Sequence, residues 1–245
     1  MKQKFMIGTA AALMAMTSAS ALAEASANIA FATDYRFRGI SQTDKDFAIQ
    51  GGFDYAWDSG FYIGTWASNV DNFSPAPDGT GGAQAELDFY GGYAAELTDT
   101  LSFDISALYY YYPGASTQNG AADIDYVEYV PSITYSDDNL SATLSLAYSD
   151  DFYAESGDAL YYGADFEFPL AEYLTLGAHA GYQTIDDNEQ WGTPDYADWS
   201  ISLGTSMFGL DWSVAYIDTD LNESECFGGS DLCDATAVGT VSKSF

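Results

Sequence analysis

Positive charge is almost missing from this sequence. Lys and Arg total 6 against 37 Asp and Glu, a formal net charge of −31. That excludes nucleic acid as a partner, because no basic patch exists to displace counterions from a phosphate backbone. Histidine is reduced to His179 and cysteine to Cys226 and Cys233. Two thiols with no histidine beside them make a poor zinc site, and no metal-ligand or cofactor-binding motif is present. Beyond residue 23 no apolar run approaches the roughly 18 residues that a spanning helix needs. Disorder is excluded as well, since charged residues make up only 18% of the chain while aromatics reach 16%.

What is present begins with a leader. Lys2 and Lys4 form a basic end, residues 5–16 (FMIGTAAALMAM) a short apolar stretch, and Ala21-Leu22-Ala23 a small-x-small cleavage site. Residues 1–23 are therefore expected to be a cleaved signal peptide. The exported chain, residues 24–245, keeps four bases against 37 acids. Outside the cytoplasm Cys226 and Cys233 meet oxidising conditions, and their spacing predicts a small disulfide-closed loop.

The stretch NIAFATDYRFR, residues 28–38, sets the pattern for the rest. Taken two by two, Ile29, Phe31, Tyr35 and Phe37 fall on one side. Asn28, Ala30, Ala32, Asp34, Arg36 and Arg38 fall on the other. A strand turns successive side chains to opposite faces, so one face is apolar and the other polar or small. The same alternation marks strands at 47–57, 61–70 (a less clean one, with aromatics on both parities), 85–96, 101–112, 123–135, 140–149, 158–168, 173–183, 196–205, 210–218 and 235–245. Pro131 weakens the sixth, because proline cannot donate to a ladder. With residues 28–38 these make twelve strands of about ten or eleven residues, the length of a tilted membrane crossing. A sandwich strand is about half as long. The connections alternate between about eight to sixteen residues and about three to five, the signature of long outer loops and short inner turns. Nothing is left over to build a core. The expected fold is all-β: a single antiparallel up-and-down transmembrane β-barrel, with lipid taking the apolar face and the polar face lining the lumen. Tyr35, Phe37, Trp57, Tyr109, Tyr111, Tyr148 and Phe168 are expected to form its outward aromatic girdles. Lys243, on the outward parity near the chain end, is placed to snorkel.

At DYRFRGISQT (residues 34–43) the sequence resembles the TorF-type porins, also called the Gcw_chp family of conserved outer-membrane proteins. The resemblance continues through QGGFDYAWDSGFYIGTWASNVD (50–71), AELDFYGGY (85–93), YYYYPG (109–114), GDALYYGADFEFPL (157–170) and VSKSF (241–245). It covers nearly all of the chain beyond the leader, apart from the cysteine loop. It implies a porin-like barrel of the bacterial outer membrane, and carries no catalytic residue with it.

On the lumen parity the acids are Asp34, Asp54, Glu86, Asp88, Asp104, Glu128, Asp165, Glu167, Asp198 and Asp211, with Arg36 and Arg38 as the bases. Small hydroxyl and methyl side chains between them leave room for water, and rings of like charge select ions. The pattern predicts a passive channel for small hydrophilic solutes that favours cations, with outer-membrane lipid and lipopolysaccharide around it. Inward Tyr90, Tyr110, Tyr126 and Tyr161 argue against a wide bore. The alternative is a plugged barrel whose acidic loops make surface contacts. Asp218-x-Asp220-x-Asn222 opens like a calcium loop, but Glu223 and Gly229 stand where glycine and an acid are required. His179 points inward without a motif that would make it catalytic, so no enzyme is expected. No strand is polar enough on its apolar side to mark a subunit contact.

Overall fold

The computed structural model describes residues 24–73, 82–115 and 122–245. The expected leader and most of the Pro/Gly-rich loop 71–84 lie outside them. The chain is rich in the aromatic and β-branched residues that fit a pleated, half-buried surface. Its strands are β1 (Glu24–Ala32), β2 (Arg36–Phe37), β3 (Ile40–Ser41), β4 (Ala48–Ala56), β5 (Phe61–Phe73), β6 (Ala83–Thr98) and β7 (Leu101–Tyr111). They continue as β8 (Tyr126–Ser136), β9 (Ser141–Ser149), β10 (Ala159–Ala171), β11 (Leu174–Ile185), β12 (Tyr196–Met207), β13 (Leu210–Thr219) and β14 (Thr236–Ser244). All but β2 and β3 form one closed antiparallel barrel of twelve strands in sequence order. Closure is made by β1, which pairs with β4 (Ile29 opposite Gly51) and with β14 (Ile29 opposite Lys243). Connections at one end span two to four residues and at the other nine to sixteen.

The outer surface carries Ile29, Phe31, Ile49, Phe53, Ile63, Phe89, Ile105, Ile133, Leu144, Ile201, Leu203 and Val214, all exposed. Around a closed sheet they form a belt with no protein to cover it. Hydrocarbon is the complement of such a belt, and each large side chain transferred from water stabilises by about 1.5–3 kcal/mol. Pro131 sits inside β8 after all. Between Tyr129–Tyr148 and Ser132–Ser145 the pairing of β8 with β9 is interrupted, which is where the missing proline N–H falls.

The first expected strand is corrected. β1 ends at Ala32, four residues after its expected start, and residues 33–47 leave the wall. Tyr35 and Phe37 do not face lipid: they are 3% and 7% exposed. Arg36 and Arg38 do not point inward from a wall strand. They belong to a two-stranded hairpin, β2–β3, lying apart from the barrel sheet. The expectation of no core fails with it. Tyr35, Phe37 and Ile40 pack with Tyr110, Tyr112, Ile124, Tyr126, Phe152 and Trp191 in one buried cluster. A closed barrel offers an interior that a single strand cannot see, and at the long-loop end this chain fills it.

Candidate functional site

The lumen is the candidate site, and the in-turned hairpin divides it. Arg38 and Gly39 form the hairpin turn, both with positive φ (47° and 83°), the conformation that two-residue hairpins require. Gly39 is needed twice over. A Cβ there would overlap Thr219 and come within 3.0 Å of the Asp198 Cβ, so the turn is pressed against β12 and β13. At the base, the Thr33 N–H donates to the Gly239 carbonyl (2.9 Å), and the Gly239 N–H donates back to Thr33 Oγ1 (3.0 Å). Asp34 gathers the hairpin locally, accepting from Arg36 Nε (2.6 Å), Ser41 Oγ (2.7 Å) and Thr43 Oγ1 (3.1 Å).

Long-range partners then tie the hairpin to the walls. Tyr35 donates its phenol to Glu86 on β6 at 2.6 Å. Burial, and after it the Glu86 and Asp88 carboxylates, push the Tyr35 pKa well above its ordinary value. Arg36 Nη1 donates to the Gly39, Leu232 and Asp234 carbonyls (2.9, 2.8 and 3.1 Å), the last two in the cysteine loop. Cys226 and Cys233 are bonded there, with Cα atoms 6.0 Å apart. Arg38 reaches Glu128 on β8 (2.8 Å) and Gln183 on β11 (2.7 Å). Burial disfavours the Arg38 charge, but Glu128 together with Tyr110, Tyr126 and Tyr161 outweighs it, so its pKa is raised. At the rim Lys45 pairs with Asp231 (2.7 Å) and lowers that carboxyl's pKa. Over the hairpin, loop residue Trp191 meets Tyr153 and Phe227 edge to face and Phe152 at a tilt, with ring centroids 5.1–5.4 Å apart.

The twelve lumen candidates therefore separate into tiers. Asp34, Arg36 and Arg38 are in the hairpin. Glu86, Asp88, Glu128 and Asp198 lie on the walls at its level. Asp54, Asp104, Asp165, Glu167 and Asp211 lie further toward the short-turn end. Among the described residues no Lys or Arg faces this lower bore. Nor does any group of three or more His, Cys, Asp or Glu there hold metal-binding geometry. In the calcium-like loop, Asp220 accepts from the Ala197 N–H and Asn222 caps a short turn, so these side chains are spent on backbone. His179 Nδ1 lies 2.7 Å from Asp165, and its Nε2 lies 3.0 Å from Asp198 and 2.8 Å from Tyr161. The imidazole joins two carboxylates, and among the described residues no serine or cysteine hydrogen-bonds to it.

The inward tyrosines do something that the strand pattern does not reveal. Tyr90 on β6 crosses β5 and donates to Asp54 on β4, its ring lying directly over Gly64. Tyr62 on β5 crosses β6 over Gly92 and donates to Asp104 on β7 at 2.9 Å. Tyr161 on β10 crosses β11 over Gly181 and donates to Asp198 on β12 at 2.9 Å. Each glycine is a notch that lets a ring lie along the wall, where any Cβ would strike it. Three tyrosines thus stitch strands two apart, each ring lying along the wall. Tyr110 and Tyr126 behave differently, stacking on each other (4.4 Å, 14° between planes) under the hairpin. The notches depend on which residues face each other across strands, and strand periodicity does not report register.

Residues 16–245 match the model of a bacterial protein family of unknown function, Gcw_chp. None of the curated proteins matches the chain in sequence. Solved structures of similar shape include the KdgM porin, 8% identical with a TM-score of 0.57, over 90% of this chain and 98% of that one. The KdgM porin in complex with disordered oligogalacturonate gives 9% identity and 0.57, over 90% and 99%. The NanC porin gives 8% and 0.54, over 89% and 98%. At such identities the likeness speaks for the barrel architecture alone.

Proposed function

Because the chain belongs to the bacterial Gcw_chp family, whose function is unknown, its role has to be read from the lumen, and we propose an exported outer-membrane porin of the TorF type. In this reading it passes small hydrophilic solutes, favours cations, and has its bore narrowed at the long-loop end by the hairpin. One observation carries the charge preference. Below the hairpin the wall bears Asp54, Asp104, Asp165, Glu167 and Asp211, while the two arginines in the bore are held by Asp34 and Glu128. A carboxylate-lined path surrounded by low-dielectric wall concentrates cations and repels anions. A polyanion such as oligogalacturonate, held by the KdgM porin in one of its structures, does not suit that field. Lipid surrounds the apolar belt, and lipopolysaccharide meets the acidic loops.

A reversal-potential measurement across a planar bilayer in a KCl gradient tests this. Potassium selectivity is expected; chloride selectivity refutes the charge argument. The hairpin and its aromatic cover favour one second reading, a plugged barrel that works through its loops. Liposome swelling separates the two, since a plugged barrel admits no sugar of any size.

A further inference from the structure

Arg38 is held in the way a bound ligand is held. Its Nη2 lies 2.8 Å from Glu128, and its Nη1 donates to Gln183 Oε1 at 2.7 Å. Its guanidinium carbon lies 4.2 Å from the Tyr161 ring centroid, 4.6 Å from that of Phe37 and 6.0 Å from that of Phe152. Only Phe37 of these travels with the hairpin. The other groups are fixed by the walls and a neighbouring loop. Gln183 spends its Nε2 on the Leu160 and Thr184 carbonyls (3.2 and 3.1 Å), which aims Oε1 at the guanidinium. Glu128 also accepts from Tyr110 at 3.0 Å, and Tyr161 is anchored over Gly181 by Asp198. The pocket is therefore built independently of its occupant. The hairpin, in turn, places Arg38 there on a residue with φ of 47°, a conformation that costs a non-glycine residue energy.

We infer that this pocket, made by Glu128, Gln183, Tyr161 and Phe152, is a receptor for guanidinium-bearing solutes, and that Arg38 is its tethered resident. The chemistry selects that class. A planar fork of donors matches a carboxylate and an amide oxygen while its face lies on an aromatic ring. A compact ammonium brings charge and donors but neither the planar fork nor a flat face to lie on the ring, and a potassium ion brings no donors at all. A solute that displaces Arg38 frees the hairpin tip from the far wall and widens the bore at its narrowest level. The inference rests on the lumen being a solute path, as proposed above, but its test does not depend on conductance.

The test uses the full chain carrying Arg38→Ala, folded into lipid, with methylguanidinium and methylammonium as probes and heat-modifiable gel mobility as the readout. A tether supplies an effective concentration in the millimolar range, so about 10 mM probe is the scale needed to replace it. Methylguanidinium is expected to raise the melting midpoint of the variant at about one tenth the concentration of methylammonium. It should leave the wild type, whose pocket is filled, unmoved. Adding Glu128→Gln should abolish the difference. If Arg38→Ala does not fold unaided, the folded band is expected only when methylguanidinium is present during refolding. Equal response to the two probes, a response that survives Glu128→Gln, or failure to fold in every condition overturns the inference. A barrel that conducts without rescue removes the receptor and keeps the channel. Rescue without conductance does the reverse.

Discussion

Placing a methyl group on Gly64 tests whether the tyrosine stitches are real. Gly64 stands directly between Asp54 on β4 and Tyr90 on β6 in the strand register. Its Cβ would coincide with the Tyr90 ring and lie 2.5 Å from Asp54 Oδ1. The ring then has to leave the wall for the bore. The lost hydrogen bond to a carboxylate is worth about 1.5–3 kcal/mol, and forced repacking costs about 1–3 kcal/mol more. Tyr90 is only partly buried, so water recovers some of this, and Gly64→Ala should destabilise by ~2 kcal/mol. Taken alone, glycine in a strand is worse than alanine by about 0.5–1 kcal/mol. In a Tyr90→Ala background, where the ring is gone, the same substitution should therefore be neutral or stabilising. The sign reverses, giving a coupling of ~2–3 kcal/mol between two residues on neighbouring strands. Urea unfolding of the refolded barrel, followed by tryptophan fluorescence, measures all four corners of the cycle. Single-channel conductance should fall in Gly64→Ala and recover in the double variant. A destabilisation of the same size with or without Tyr90 refutes the notch reasoning.

Two further outcomes follow from the hairpin. Gly39→Ala meets a positive φ and the Thr219 and Asp198 side chains together, and should loosen the hairpin by ~2 kcal/mol or more, seen as faster amide exchange at residues 36–41. Unchanged exchange there would show that the turn is not pressed against the wall. Cys226→Ser, or reduction of the wild type, releases a loop closed over a separation of seven residues, which the chain-entropy relation values at about 2.5 kcal/mol. Because Leu232 and Asp234 in that loop hold Arg36, amide exchange in the hairpin should rise along with exchange in the loop. A rise confined to the loop would separate the two.

Several features were legible one residue at a time. Leu140–Ser149 alternates without a break, and the barrel has β9 there. Ile29 and Phe31 face outward as their parity requires. Residues 33–41 show where such reading ends. Through Arg38 they continue the alternation of the wall strand before them, and the Arg38-Gly39 turn inside them is the one local hint of a hairpin. The partners that draw them inward, Glu86, Glu128 and Gln183, lie 51, 90 and 145 residues away. Likewise Gly64, Gly92 and Gly181 are unremarkable glycines until register places a tyrosine over each.

From its order of residues alone, then, this chain was committed to twelve strands with one face for lipid and one for water, because that partition repeats every second residue and needs no knowledge of neighbours. Which side chains meet inside the cylinder is a different matter. Closing the sheet creates an interior, and only there do Tyr35, Phe37 and Arg38 find an apolar lining and a buried carboxylate that outweigh a place in the wall.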